Sequence, residues 1–174
     1  MTASLGLSSG ELTWTLPDEG HPAFVLRAGS EDIGWLQFEE KPGARSSAAL
    51  GSGRWTLERT GAVHPTVTVR AEGDETVVME FAPCLTGGGM ARFANGRVYC
   101  WIREHLWSNK WCFRCKLHKA VCVSQDTLPL TAASRVAVCV DATHLPETPV
   151  LVLLAWYLRL LEAARVEDSI FVCG

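Results

Sequence analysis

The sequence predicts a mostly β fold: an antiparallel barrel, or strongly curved sheet, of about a dozen short strands enclosing one apolar C-terminal helix at residues 149–164. Three observations lead there. Short segments rich in β-branched and aromatic residues recur between Gly, Pro and polar clusters. Asn95-Gly96 separates two of these segments, and this pair allows the positive φ that tight hairpins require. The strand pattern then stops at Thr148-Pro149, which opens a nearly unbroken apolar run.

The strands are read in order. Residues 12–16 are closed by Pro17-Asp18-Glu19-Gly20, and 23–28 by Gly29-Ser30. Residues 33–39 stop before Lys41-Pro42-Gly43, and 47–50, 54–59 and 66–70 follow. Residues 76–81 precede Thr86-Gly87-Gly88-Gly89. Residues 91–93 and 97–103 flank Ala94-Asn95-Gly96, 110–117 and 120–124 form the next pair, and 136–140 is the last strand before the helix. Residues 169–173 read as a short returning strand.

In the helix, Thr148 reads as N-cap and Pro149 as the first helical position. Val150 to Leu158, with Leu160 and Leu161, is apolar all round, so most of its faces need burial. The run falls short of the ~20 residues that span a bilayer, and Arg159 interrupts it. A path through the centre of a barrel satisfies both facts. An oligomer interface is the other solution, and the oligomeric state stays open.

With 174 residues, 48% hydrophobic content and seven Trp, the chain suits one domain spanning 1–174. A net charge of −3, with Arg spread among acidic residues, gives no nucleic-acid footprint. Residues 1–10 lack a basic segment followed by an apolar one, so no signal peptide is read and a cytoplasmic location is expected. The seven cysteines (Cys84, Cys100, Cys112, Cys115, Cys122, Cys139 and Cys173) are therefore expected to be reduced.

No catalytic motif is legible. Gly87-Gly88-Gly89 lacks the Lys-Ser/Thr ending and the following helix of a phosphate loop, and no Gly-x-Ser-x-Gly elbow is present. Cys84 with His64 or His105 is a candidate nucleophile and base by residue type alone. The sharpest cluster is Cys112, Cys115, His118 and Cys122, a set of zinc-ligand types opening with Cys-x2-Cys. On a strand, however, Cys112 and Cys115 would face opposite sides, so only a turn there makes a zinc site.

The same alternation sets Arg114, Lys116 and His118 in one outward row. With Lys119, Arg97 and Arg103 they form a candidate basic ridge for phosphate or an anionic lipid head group. Most Trp residues fall within strands and read as barrel wall. Trp107 falls in a loop and is a candidate for contact with a partner or a membrane surface.

The meander Met90-Ala91-Arg92-Phe93-Ala94-Asn95-Gly96-Arg97-Val98-Tyr99-Cys100-Trp101, then Trp111-Cys112-Phe113, and the helix from Val150 to Leu161 together resemble the Tubby C-terminal-like superfamily. This superfamily holds Tubby, the phospholipid scramblases and the LURP-one-related proteins. The resemblance implies a barrel around a central hydrophobic helix and a non-enzymatic scaffold that binds lipid or protein. No segment matches the family's phosphoinositide, palmitoylation or calcium residues, so it assigns no site residues here. Two alternatives stand beside it. One is a small-molecule carrier or enzyme using the barrel interior, which the helix would have to leave open. The other is a zinc-stabilised interaction module.

Overall fold

The computed structural model describes residues 11–18, 23–40, 45–61, 63–74, 76–85, 87–125 and 134–171, with only the helical backbone of 166–171. Twelve strands close into an antiparallel barrel: β1 (Leu12–Thr15), β2 (Phe24–Ala28), β3 (Glu31–Phe38), β4 (Ser46–Leu50), β5 (Gly53–Thr60), β6 (Thr66–Ala71), β7 (Val77–Pro83), β8 (Gly89–Phe93), β9 (Val98–Arg103), β10 (Lys110–Cys115), β11 (His118–Ser124) and β12 (Ser134–Val138). Each strand pairs with its neighbours in sequence, and β1 meets β12 through Leu12 opposite Val136 to seal the ring. Each of the twelve strands read between residues 12 and 140 is present.

One helix, α1 (Thr148–Phe171), follows a 3-10 turn at Val140–Ala142. An eight-stranded barrel has an interior just wide enough for side chains, so twelve strands leave room for a helix. Val150 to Tyr157, with Leu160 and Leu161, are buried, as are the inward residues of the wall, among them Leu26, Leu36, Leu57, Met79 and Val121. Trp156 stacks on Trp14 of β1 at 5.9 Å, and Tyr157 lies against Phe38 of β3 at 5.6 Å. Each large apolar side chain taken from water this way stabilises the fold by about 1.5–3 kcal/mol before the entropy of ordering is counted. An all-round apolar helix is thus stable here because wall residues meet it on every side.

Two features of α1 differ from the sequence reading. The carbonyl of Glu147 accepts the first helical hydrogen bond, from the Leu151 N–H at 3.0 Å. The Thr148 hydroxyl instead donates to the carbonyl of Ala142, tying the helix to the 3-10 turn. The helix also runs on to Phe171, so residues 169–171 are helical and not a returning strand, while 172–173 lie outside the described residues.

Strand direction gives the barrel two unlike ends. At the turn end, β2–β3, β4–β5 and β10–β11 are joined by two-residue turns, and α1 enters. At the loop end the connections are longer and α1 leaves. The outer wall carries exposed ion pairs, including Arg27–Asp32 at 2.6 Å, Arg135–Glu11 at 3.2 Å and Arg70–Glu58 at 3.8 Å. Exposed pairs of this kind add little stability. They give the wall mixed charge, unlike the apolar outer band of a membrane-spanning barrel. Among the described residues, no helix is long and apolar enough to cross a membrane.

Candidate functional site

The Cys112 to Cys122 segment is a hairpin, which overturns the zinc reading. Its turn is Lys116-Leu117, with Lys116 at φ 54°. That turn sets Cys112 directly opposite Cys122 with Cα atoms 4.1 Å apart, and the two form a disulfide. Cys112 and Cys122 alternate with inward Trp111, Phe113, Val121 and Val123, so they belong to the outer wall, where they are nevertheless only 1% and 3% exposed. Cys115 packs against the core at the strand end, opposite His118. The four proposed ligands are therefore not gathered, and two are bonded to each other. No group of three or more metal-ligand side chains assembles among the described residues. The expectation of uniformly reduced cysteines fails at this pair, while Cys84, Cys100, Cys115 and Cys139 are free thiols.

The basic ridge is likewise dispersed. The alternation ends at Cys115, so Lys116 occupies the turn and His118 crosses to the other strand instead of extending the row from Arg114. Arg97 lies at the turn end, where its Nη1 donates to buried Glu147 at 3.1 Å. The Tyr99 hydroxyl and then Glu147 hold the Arg97 guanidinium above its ordinary pKa. Arg103 lies at the opposite end of β9 and pairs with Glu162 at 3.7 Å. Lys119 pairs with Glu104, which also takes Lys110 at 3.2 Å. Three of the six ridge residues are thus paired with carboxylates of this chain, at different places on the barrel.

The loop end gathers what the sequence does not show together. Trp101 of β9 and Trp111 of β10 stack at 5.5 Å and 18°, and Phe113 lies 4.5 Å from Trp101. Arg103 sits 5.0 Å and Arg159 of α1 6.0 Å from the Trp111 ring centre, close enough for cation–π attraction. Arg159 is 5% exposed and its burial lowers its pKa, an effect opposed by its ion pair with Glu162. Glu162 thus serves both arginines.

Beside this stack is a cleft of about 190 Å³. Val67, Phe81, Trp101, Trp111, Leu158 and Leu161 make it largely apolar, and Arg59, Glu162 and Arg165 bring charge to it. Arg59 pairs in register with inward Val67 and follows inward Leu57 by two residues, so it points into the barrel mouth. The glycine loop forms one rim. Gly88 has φ +77°, and a Cβ there would lie 2.2 Å from the carbonyl oxygen of Trp101. Only a residue without a side chain lets the loop sit on the Trp strand. Cys84, exposed, lines the cleft too. His64 and His105 belong to the flanking loops, and no hydrogen bond among the described residues links either to Cys84, so the nucleophile–base pair is not assembled.

Around this mouth, three loops that neighbour one another in the barrel expose large apolar side chains: Val63 between β5 and β6, Leu85 between β7 and β8, and Leu106 and Trp107 between β9 and β10. Trp107 is 96% exposed. Leu117 and Val140 are exposed singly at the turn end. Of the mouth set, the sequence singles out only Trp107. Val63 and Leu85 fall between strands in the sequence, and only the topology sets their loops side by side. Arg59 reads as one more strand residue, although its even spacing from Leu57 was the available signal.

Comparison with known proteins finds no matching family model, no matching curated protein and no matching solved structure.

Proposed function

We propose that this chain is a non-enzymatic binding domain, Tubby-like in design, that docks the loop end of its barrel onto an anionic lipid surface. The observation that carries this reading is the convergence of Val63, Leu85, Leu106 and Trp107 on one end. Exposed apolar tips gain free energy by entering an interfacial layer, and nearby cations add attraction to anionic lipid. Arg59, Arg103, Arg159 and Arg165 lie at this mouth against Glu162 and Glu104, in a chain whose overall charge is −3. The interior offers less to a carrier or enzyme, because α1 occupies it.

The cytoplasmic placement belongs to the same proposal. Four free thiols suit a reducing compartment, whereas the Cys112–Cys122 bond suits an oxidising one. Alkylation during cell lysis, followed by peptide mass analysis, decides between them.

Sedimentation with phosphatidylcholine vesicles, with and without phosphatidylserine, tests the docking. Binding is expected to require the anionic lipid. It should fall on the order of tenfold or more in Trp107→Ala, given ~25 cal/mol per Å² of apolar area, with no loss of thermal stability. Failure of the unmodified protein to bind either vesicle overturns the lipid assignment and leaves the surface to a protein partner.

A further inference from the structure

We infer that the cleft beside Trp101 and Trp111 is a site for a single-chain amphiphile: a short apolar tail carrying one carboxylate. This rests on the loop end being the contact surface, and it assigns that surface an individual ligand. The tail is argued from the lining, since Val67, Phe81, Leu158 and Leu161 offer no hydrogen bond to a polar occupant. Its length follows from the volume. A cleft of about 190 Å³ falls below the roughly 300–1,000 Å³ of sites for drug-sized ligands, so it suits one short chain.

The head group is argued from charge. Glu162 is engaged by Arg103 and Arg159, so the anionic side of the lining is already answered. Arg59 faces the same space, and no carboxylate is paired with it among the described residues. A carboxylate lodged at Arg59, with its tail along the Trp wall, matches both halves of the cleft. The planar guanidinium can hold such a group through two parallel hydrogen bonds.

Two exposed cysteines make the test internal to the intact protein. Cys84 lines the cleft, whereas Cys100 lies on β9 outside it. The rate of iodoacetamide alkylation at each is followed by peptide mass analysis during titration with octanoate. The expected result is saturable slowing at Cys84 and none at Cys100. Octanol, which has the same tail without the charge, should need a concentration on the order of tenfold higher for equal protection, and Arg59→Gln should shift octanoate similarly. Absence of saturable protection, equal protection by octanol, or equal slowing at both cysteines overturns the inference. Should Arg59→Gln fail to fold, the octanoate and octanol pair still decides. Vesicle binding without protection of Cys84 sinks the cleft and leaves the docking surface standing; protection without vesicle binding does the reverse.

Discussion

Glu147 and Arg97 are joined across the turn end of the barrel, Oε2 to Nη1 at 3.1 Å, while Asn95 Nδ2 donates to the other carboxylate oxygen at 2.5 Å. The Asn95-Gly96 turn between β8 and β9 is thereby fastened to the residue that starts α1. Glu147 is only 2% exposed, so these donors stand in for the water its carboxyl group has lost. Glu147→Ala is expected to lower stability by about 2 kcal/mol, the scale of hydrogen bonds to a charged group. A urea midpoint equal to that of the unmodified protein would show that the turn and the helix are not coupled.

Acid should weaken the fold through Glu104. Its hydrogen bonds with Lys119 and then Lys110 hold its pKa down, from an ordinary 4.5 to about 2. A depressed carboxyl stabilises the folded state above its unfolded pKa and loses that contribution as pH falls through the folded one. The loss therefore runs from about pH 4.5 to about pH 2. After discounting for solvent around the two half-exposed lysines, it amounts to about 1 kcal/mol. Urea unfolding at several pH values, compared with Glu104→Gln, checks this: the variant should lack that part of the acid sensitivity.

Gly88→Ala should cost more than a glycine substitution at another positive-φ position. Gly29 has φ +61° and nothing within 4 Å of an added Cβ, whereas at Gly88 the Cβ would meet the Trp101 carbonyl at 2.2 Å. Gly29→Ala is expected to cost about 1 kcal/mol from backbone conformation, and Gly88→Ala at least about 2 kcal/mol. Equal shifts in thermal midpoint would mean that the loop can move off the Trp strand without penalty.

The Cys112–Cys122 bond spans a sequence separation of 10. Chain-entropy reasoning assigns a loop of that size about 2–3 kcal/mol. The double variant Cys112→Ser/Cys122→Ser should lose about that much. Thiol counting on the unreduced, denatured protein should find no more than five of the seven cysteines free; seven would remove the bond from the account.

Most of the wall was legible because local alternation alone marks a strand, and Asn95-Gly96 marks its hairpin outright. The β10–β11 hairpin was harder. Nothing in Lys116-Leu117 announces a turn, since Lys116 adopts its positive φ without the help of glycine or asparagine. With the turn misplaced, the register was lost, and the pairing of Cys112 with Cys122 depends on register alone. Arg97 and Arg103 were legible as one strand but not as its two ends, which face different partners. The mouth was hidden for a similar reason: Val63, Leu85 and Leu106 come together only once β5 to β10 are laid side by side. Helix length was underestimated because residues 165–171 carry charges that end an apolar pattern without ending a helix.

The nearest-neighbour order of the strands implies a schedule. Every pairing but β1 with β12 joins segments adjacent in the chain, and α1 follows β12. Synthesis therefore delivers the wall before the plug. Until α1 arrives, Leu26, Leu57, Met79 and their neighbours line a concave sheet with nothing to cover them, and a ring already sealed would shut the helix out. The seam between the first and last strands must stay open late. The N-terminal strand waits for the helix, and the nascent sheet is open to capture by chaperones or by other copies throughout that interval.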